Sequence, residues 1–132
     1  MELKNRVELL AKSDPFNRQF NIKFINVNRG NLKGEIQLTE FMKRQGNVIH
    51  GGFLAGLVDI AGSLCIFTFE EVMNGFTISM NVNYLNTLTG SMASFESTAE
   101  RAGKRHIFMD IGIWDENNVK VVSANGIWSV VK

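Results

Sequence analysis

The segment Gly46-Asn47-Val48-Ile49-His50-Gly51-Gly52 runs directly into a long apolar stretch that holds one charged residue, Asp59. These residue types suit attack on a carbonyl group. A helix starting at the glycines presents first-turn N–H groups that lack intrahelical partners, at the positive end of the helix dipole. An oxyanion fits there. Two glycines at the entrance permit torsions and close approach that side chains would block. His50 stands immediately before that entrance. Asp59 is a carboxylate in apolar surroundings, and in a cleft it is a general-base candidate. The alternative is a structural acid bonded to backbone amides, because an unpaired buried carboxylate is costly.

Spacing constrains how these groups act together. Asp59 lies about two helical turns inside the helix, roughly 12 to 14 Å along the axis from the entrance. One acid and the N-terminus of its own helix cannot then grip one small reacting group. A second subunit solves this by bringing its own acid to this entrance. Ala55, Gly56, Ala61, Gly62 and Ser63 let something approach the helix closely, whether a substrate or a tightly packed sheet.

The elements that must position this set follow from periodicity. Leu3, Val7, Leu10 and Ala11 recur at helical spacing, and Asp14-Pro15 breaks that helix. Phe20, Ile22, Phe24 and Ile25 predict a strand, followed by a turn at Asn28-Arg29-Gly30-Asn31. Leu32, Gly34, Ile36 and Leu38 then alternate with polar residues, which completes a hairpin. Residues 53–69, FLAGLVDIAGSLCIFTF, predict one long helix that is apolar all round, the pattern of a buried core helix. A membrane span is the weaker reading, given the central acid and two internal glycines. Four strand-like stretches follow: 77–84, 91–102, 106–113 and 119–131. Turn signals at Leu88-Thr89-Gly90, Ala102-Gly103-Lys104 and Asp115-Glu116-Asn117-Asn118 separate them. This order predicts an α+β fold in a single domain over 1–132, with a mostly antiparallel sheet curved around one central helix.

Composition narrows the function classes. The chain has 132 residues, 14 basic against 13 acidic, and is 45% hydrophobic. A net charge of +1 gives no reason to expect nucleic-acid or membrane-surface binding. One cysteine, Cys65, forbids an internal disulfide, and with two histidines it makes a structural zinc site improbable. The start, MELKNRVELLAK, is mixed in charge and unlike a signal peptide, so a cytoplasmic protein is expected.

His50-Gly51-Gly52 with Asp59 seven residues on, at the head of a long apolar helix, resembles the hot-dog-fold acyl-CoA thioesterases, and among them the PaaI-type group. The order of elements is similar over nearly the whole chain. The resemblance implies an antiparallel sheet wrapped around a central helix, joined to a second copy through the sheets. It implies active sites at the dimer interface and homodimers that pair again into homotetramers. It gives Asp59 the role of general base or nucleophile, and the Gly51 backbone N–H that of oxyanion donor. His50 would support the substrate carbonyl, with Asn47 and Gly52 also near substrate. Thr77, before Met80-Asn81, matches a hydroxyl residue that helps place the attacking water. No cofactor or metal is implied, coenzyme A being part of the substrate. One departure is Arg44, which stands six residues before the histidine where relatives commonly carry Asn.

Lys104 and Arg105 follow Gly103 at a turn. In the resembling family, a basic turn here often meets the CoA phosphates; a solvated hairpin turn is the other reading. Phe41, Met42 and Phe53 are candidates for an acyl pocket or for core packing. His106 reads as structural or exposed, and Cys65 as an inert small hydrophobe. Two rival functions differ in the residues they require. An acyl-thioester dehydratase or hydratase would need a His-Phe-Pro-Gly motif, and the only proline is Pro15. A non-catalytic acyl-CoA binding or sensing module draws its support from Arg44.

Overall fold

In the computed structural model, which describes residues 2–132, Val7 and Ala11 form the buried face of α1 (Leu3–Ser13). Asp14 ends that helix and starts another. Its carboxylate accepts hydrogen bonds from Phe16 N and Asn17 N, capping the single turn α2 (Pro15–Arg18) with Pro15 in the first position. The Asp14-Pro15 break is therefore a corner between two helices.

The first predicted strand begins later than its apolar residues suggest. Phe20 is buried in a turn before β1 (Lys23–Asn28), and a bulge between Phe24 and Asn26 leaves Ile25 exposed. Gly30 takes a left-handed φ of +77° and closes the hairpin to β2 (Asn31–Gln37), where Leu32, Gly34 and Ile36 face inward as their alternation requires. Two short strands, β3 (Lys43–Arg44) and β4 (Val48–Ile49), then form a small hairpin that the sequence reading did not foresee. Gly46 and Asn47 turn it with φ of +93° and +62°.

The central helix α3 (Gly51–Cys65) starts two residues before the apolar run and tightens into a 3-10 turn at Ile66–Thr68. Gly51–Thr68 is long and apolar enough to cross a membrane by length and composition alone. Its packing is that of a core helix. Leu54, Leu57, Val58, Ile60, Ala61, Leu64 and Cys65 are all buried, and α3 lies against the inner face of the sheet. Each fully buried aliphatic side chain contributes about 1.5–3 kcal/mol. Of the glycines in α3, Gly62 allows the closest approach: a Cβ there would collide with the ring of the fully buried Trp128.

The remaining strands are β5 (Asn74–Tyr84), β6 (Met92–Ala102), β7 (His106–Asp115) and β8 (Lys120–Val131). Six strands form one antiparallel sheet in the order β1-β2-β6-β7-β8-β5. The last strand, β8, thus inserts between β7 and β5. Among the described residues β5 pairs only with β8, so its other edge is free there. This edge carries exposed Phe76, Ile78 and Tyr84.

Arg6 ties α1 to the far end of the central helix. Its guanidinium donates to the carbonyl oxygens of Phe67 (3.1 Å), Phe69 (3.1 Å), Glu70 (3.3 Å) and Val72, and lies over the Phe67 ring. These carbonyls follow a helix C-terminus, where a cation is favoured.

Candidate active site

At the entrance to α3, His50 is the N-cap residue. Its N–H donates to Met42 O at 2.9 Å, so the β3–β4 hairpin sets where the helix begins. Its carbonyl accepts from Phe53 N (2.9 Å) and Leu54 N (3.3 Å). Its Nδ1 accepts from Gly52 N at 2.9 Å. A neutral imidazole that accepts at Nδ1 carries its proton on Nε2, which faces outward on an exposed ring.

These bonds single out one amide. The Gly52 N–H is occupied by His50. The Gly51 N–H has no acceptor among the described residues. Because the peptide is trans, this N–H points opposite to the His50 carbonyl, away from the helix body. Neither glycine has a positive φ, so the torsional freedom anticipated from sequence is not used here. Close approach is what they provide. A Cβ on Gly52 would meet the His50 ring at 3.1 Å, and one on Gly51 would meet the Tyr84 ring at 3.6 Å. Tyr84, at the end of β5, donates its hydroxyl to Gly51 O at 2.9 Å.

Asp59 forms a second group of contacts. It is half-buried, and Thr77 of β5 donates Oγ1–H to its Oδ1 at 2.5 Å. Ser63, one turn further along α3, donates to the same oxygen at 3.4 Å. Trp128 of β8 donates Nε1–H to Ser63 Oγ at 3.0 Å. An indole N–H only donates, so Ser63 accepts from it and turns its own proton toward Asp59. Oδ1 is thus held by two hydroxyls, while Oδ2 makes no hydrogen bond among the described residues. This is a carboxylate with one oxygen anchored and one available.

The two groups lie on one helix but do not meet. Eight residues separate Gly51 from Asp59, about 12 Å of axial rise. Asn47 belongs to neither; it is exposed in the β3–β4 turn. Arg44, also exposed, folds back to donate to Gln45 O at 2.8 Å. Lys104 and Arg105 are exposed in the β6–β7 turn, beside a cleft of about 380 Å³ shared with Arg101, His106 and Phe108. That turn lies at the end of the sheet where β5 begins, since Val130 N donates to Arg105 O and Val130 pairs with Gly75.

Apolar surface flanks the helix entrance. Phe16, His50, Gly52 and Phe53 line a cleft of about 270 Å³. Phe41, 73% exposed, meets Phe53 edge-to-face at 5.4 Å, whereas Met42 is core. A second cleft of about 530 Å³ opens beside Ser63, Leu64 and Phe67. Among the described residues, no three His, Cys, Asp or Glu side chains gather as a metal centre would require. Sequence reasoning missed Tyr84, Trp128 and Phe16, and took Ser63 only as a small residue that permits close approach to the helix. Ser63 had one usable signal, its position one helical turn after Asp59.

Comparison with known proteins agrees with this architecture. The chain is 30% identical over 125 residues to a protein of Saccharolobus solfataricus described only by name as an esterase, covering 95% of this chain and 83% of that protein. The PaaI protein of the E. coli phenylacetic acid degradation operon superposes with a TM-score of 0.88 at 16% identity, over 98% of this chain and 94% of that one. A hypothetical thioesterase of Streptococcus pneumoniae, solved with coenzyme A, gives 0.77 at 19% identity over 84% and 86%. The sheet wrapped around α3 is the hot-dog fold of these neighbours. Residues 46–122, from the turn before His50 into β8, match the family described as the thioesterase superfamily, and the chain belongs to that family.

Proposed function

We propose that the protein hydrolyses acyl-CoA thioesters to a free acid and coenzyme A. The observation that carries this reading is the pairing of a free Gly51 N–H at a helix N-terminus with a carboxylate, Asp59, that keeps one oxygen unoccupied. Family membership supports the hydrolase class, and the coenzyme A bound to the pneumococcal neighbour supports the substrate class.

In the proposed reaction, the thioester carbonyl oxygen accepts from Gly51 N–H. Asp59 Oδ2 takes a proton from water as the water oxygen bonds to the carbonyl carbon. Negative charge gathers on the carbonyl oxygen, where the amide and the helix dipole stabilise it; one such donor is worth ~3–4 kcal/mol. A general base adds about 100- to 10,000-fold. Collapse expels the CoA thiolate, which takes up a proton. Asp59 as a nucleophile would instead bond to the carbonyl carbon, expel the CoA thiolate as the C–S bond breaks, and leave an anhydride that water then opens to the free acid and the Asp59 carboxylate.

A second copy of the chain completes the site. The free edge of β5 has Thr77 near its start and Tyr84 at its end. Antiparallel pairing of two such edges sets the Thr77 end of one against the Tyr84 end of the other. Asp59 of one copy then approaches Gly51 of its partner. The basic turn at Lys104 and Arg105 lies at the Thr77 end, suited to the nucleotide phosphates. A homodimer, and dimers paired into a homotetramer, in the cytoplasm, complete this reading.

The test is release of free thiol from short, long and aryl acyl-CoAs by wild type beside Asp59→Asn. The amide keeps an oxygen for Thr77 but cannot take the proton. Turnover of one acyl class that disappears in the variant is expected; equal turnover in both proteins removes Asp59 from the mechanism. A second reading, a non-catalytic acyl-CoA binding module, rests on Arg44 in place of the family's usual Asn. It is favoured if CoA esters bind without turnover.

A further inference from the structure

We infer that Tyr84 is a positioning residue for the Gly51 amide, its phenol hydroxyl fixing the peptide that follows the oxyanion donor. This rests on the reading of Gly51 N–H as that donor.

Two peptide planes meet at the Gly51 Cα. The plane before it ends in the Gly51 N–H and is pinned through the His50 carbonyl by Phe53 N and Leu54 N. The plane after it contains the Gly51 carbonyl and the Gly52 N–H. Its N–H is held by His50 Nδ1 at 2.9 Å, and its carbonyl receives Tyr84 Oη at 2.9 Å. Glycine has the widest torsional freedom of any residue, so the hinge between these planes needs outside restraint. A first-turn glycine has fewer helical bonds to supply it.

Among the described residues, Tyr84 supplies the only hydrogen bond from the six-stranded sheet to this hinge. It stands 33 residues away on β5, a strand fixed by its long pairing with β8. Its ring also closes the side of Gly51, at ordinary contact distance from where a Cβ would be. The ring is 52% exposed, so core packing does not account for the position. The hydroxyl does. An oxyanion donor stabilises the transition state only when its direction is set before charge develops. Misplacement of a catalytic group by about 1 Å can cost ~100-fold.

Tyr84→Phe keeps the ring and removes the bond. With any acyl-CoA that wild type hydrolyses, kcat should fall about 10- to 100-fold while KM stays within about twofold. The Gly51 and Gly52 amide resonances should shift, and Gly52 N–H should exchange faster with solvent, while the rest of the amide spectrum is retained. Unchanged kcat, or a loss carried by KM, overturns the inference. If wild type hydrolyses no thioester, the proposed function fails, and the amide spectrum decides the role of Tyr84 alone. Perturbed Gly51 and Gly52 signals then support it, and undisturbed signals overturn it.

Discussion

Thr77 and Asp59, 18 residues apart, meet through a hydrogen bond that joins the free-edge strand β5 to the central helix α3. The acid is thereby held by the same strand whose second edge is unpaired among the described residues.

Removing either hydroxyl should loosen Asp59. A hydrogen bond to a charged group is worth about 1.5–3 kcal/mol, so Thr77→Val should lower kcat by roughly tenfold or more. Ser63→Ala should cost less, because its contact is longer, 3.4 Å against 2.5 Å. Steady-state kinetics on both variants check this ranking. A Ser63→Ala variant slower than Thr77→Val would reverse the importance assigned to the two hydroxyls.

The basic turn makes a prediction about selectivity between substrates. Lys104→Ala and Arg105→Ala should raise KM for CoA esters and leave it unchanged for short thioesters lacking the nucleotide. Each lost phosphate contact should appear mainly at low salt, since both side chains are exposed. An equal effect on both substrates would falsify the phosphate role.

Gly62 should be among the least replaceable residues for stability. An alanine Cβ would collide with Trp128, which is fully buried and bonded to Ser63. Overpacking of this kind costs typically about 1–3 kcal/mol. Gly62→Ala should therefore lower the denaturation midpoint, and kcat should fall with it as Trp128 leaves Ser63. A variant as stable as wild type would mean that the sheet yields here.

Much of this site was legible as local pattern. The alternation of Leu32, Gly34 and Ile36 gave β2, and the run 53–69 gave the core helix, because period and burial are written in neighbouring residues. His50, Gly51 and Asp59 stood out by chemistry. Tyr84 and Trp128 did not, for a physical reason. Their partners lie 33 and 65 residues away, and those meetings depend on strand order and register. No local signal says that β8 enters between β7 and β5. The two-residue strands β3 and β4 are too short to carry a period, yet they fix where α3 begins.

Cys65 gives a prediction in alkali. It is fully buried in α3, and burial pushes its thiol from 9.0 up to about 11. Between about pH 9 and 11, the unfolded chain releases this proton while the native chain keeps it. Native stability should therefore fall as pH rises through that window. Cys65→Ala should flatten the decline, as read by denaturant melts at stepped pH. At pH 8 the native thiol should resist alkylation and the unfolded thiol should react.

The insertion of β8 between β7 and β5 also governs the order of assembly. As the chain is synthesised, α3 and β5 emerge well before the strand that pairs with β5 and carries Trp128. Until β8 arrives, β5 has two open edges and α3 lacks the part of its cover that β8 supplies. Such long-separation pairing folds slowly and leaves adhesive surfaces in transit. The acid's surroundings are thus completed late, so truncations or slow-translating stretches that delay β8 should favour aggregation over the accumulation of a stable, partly folded chain.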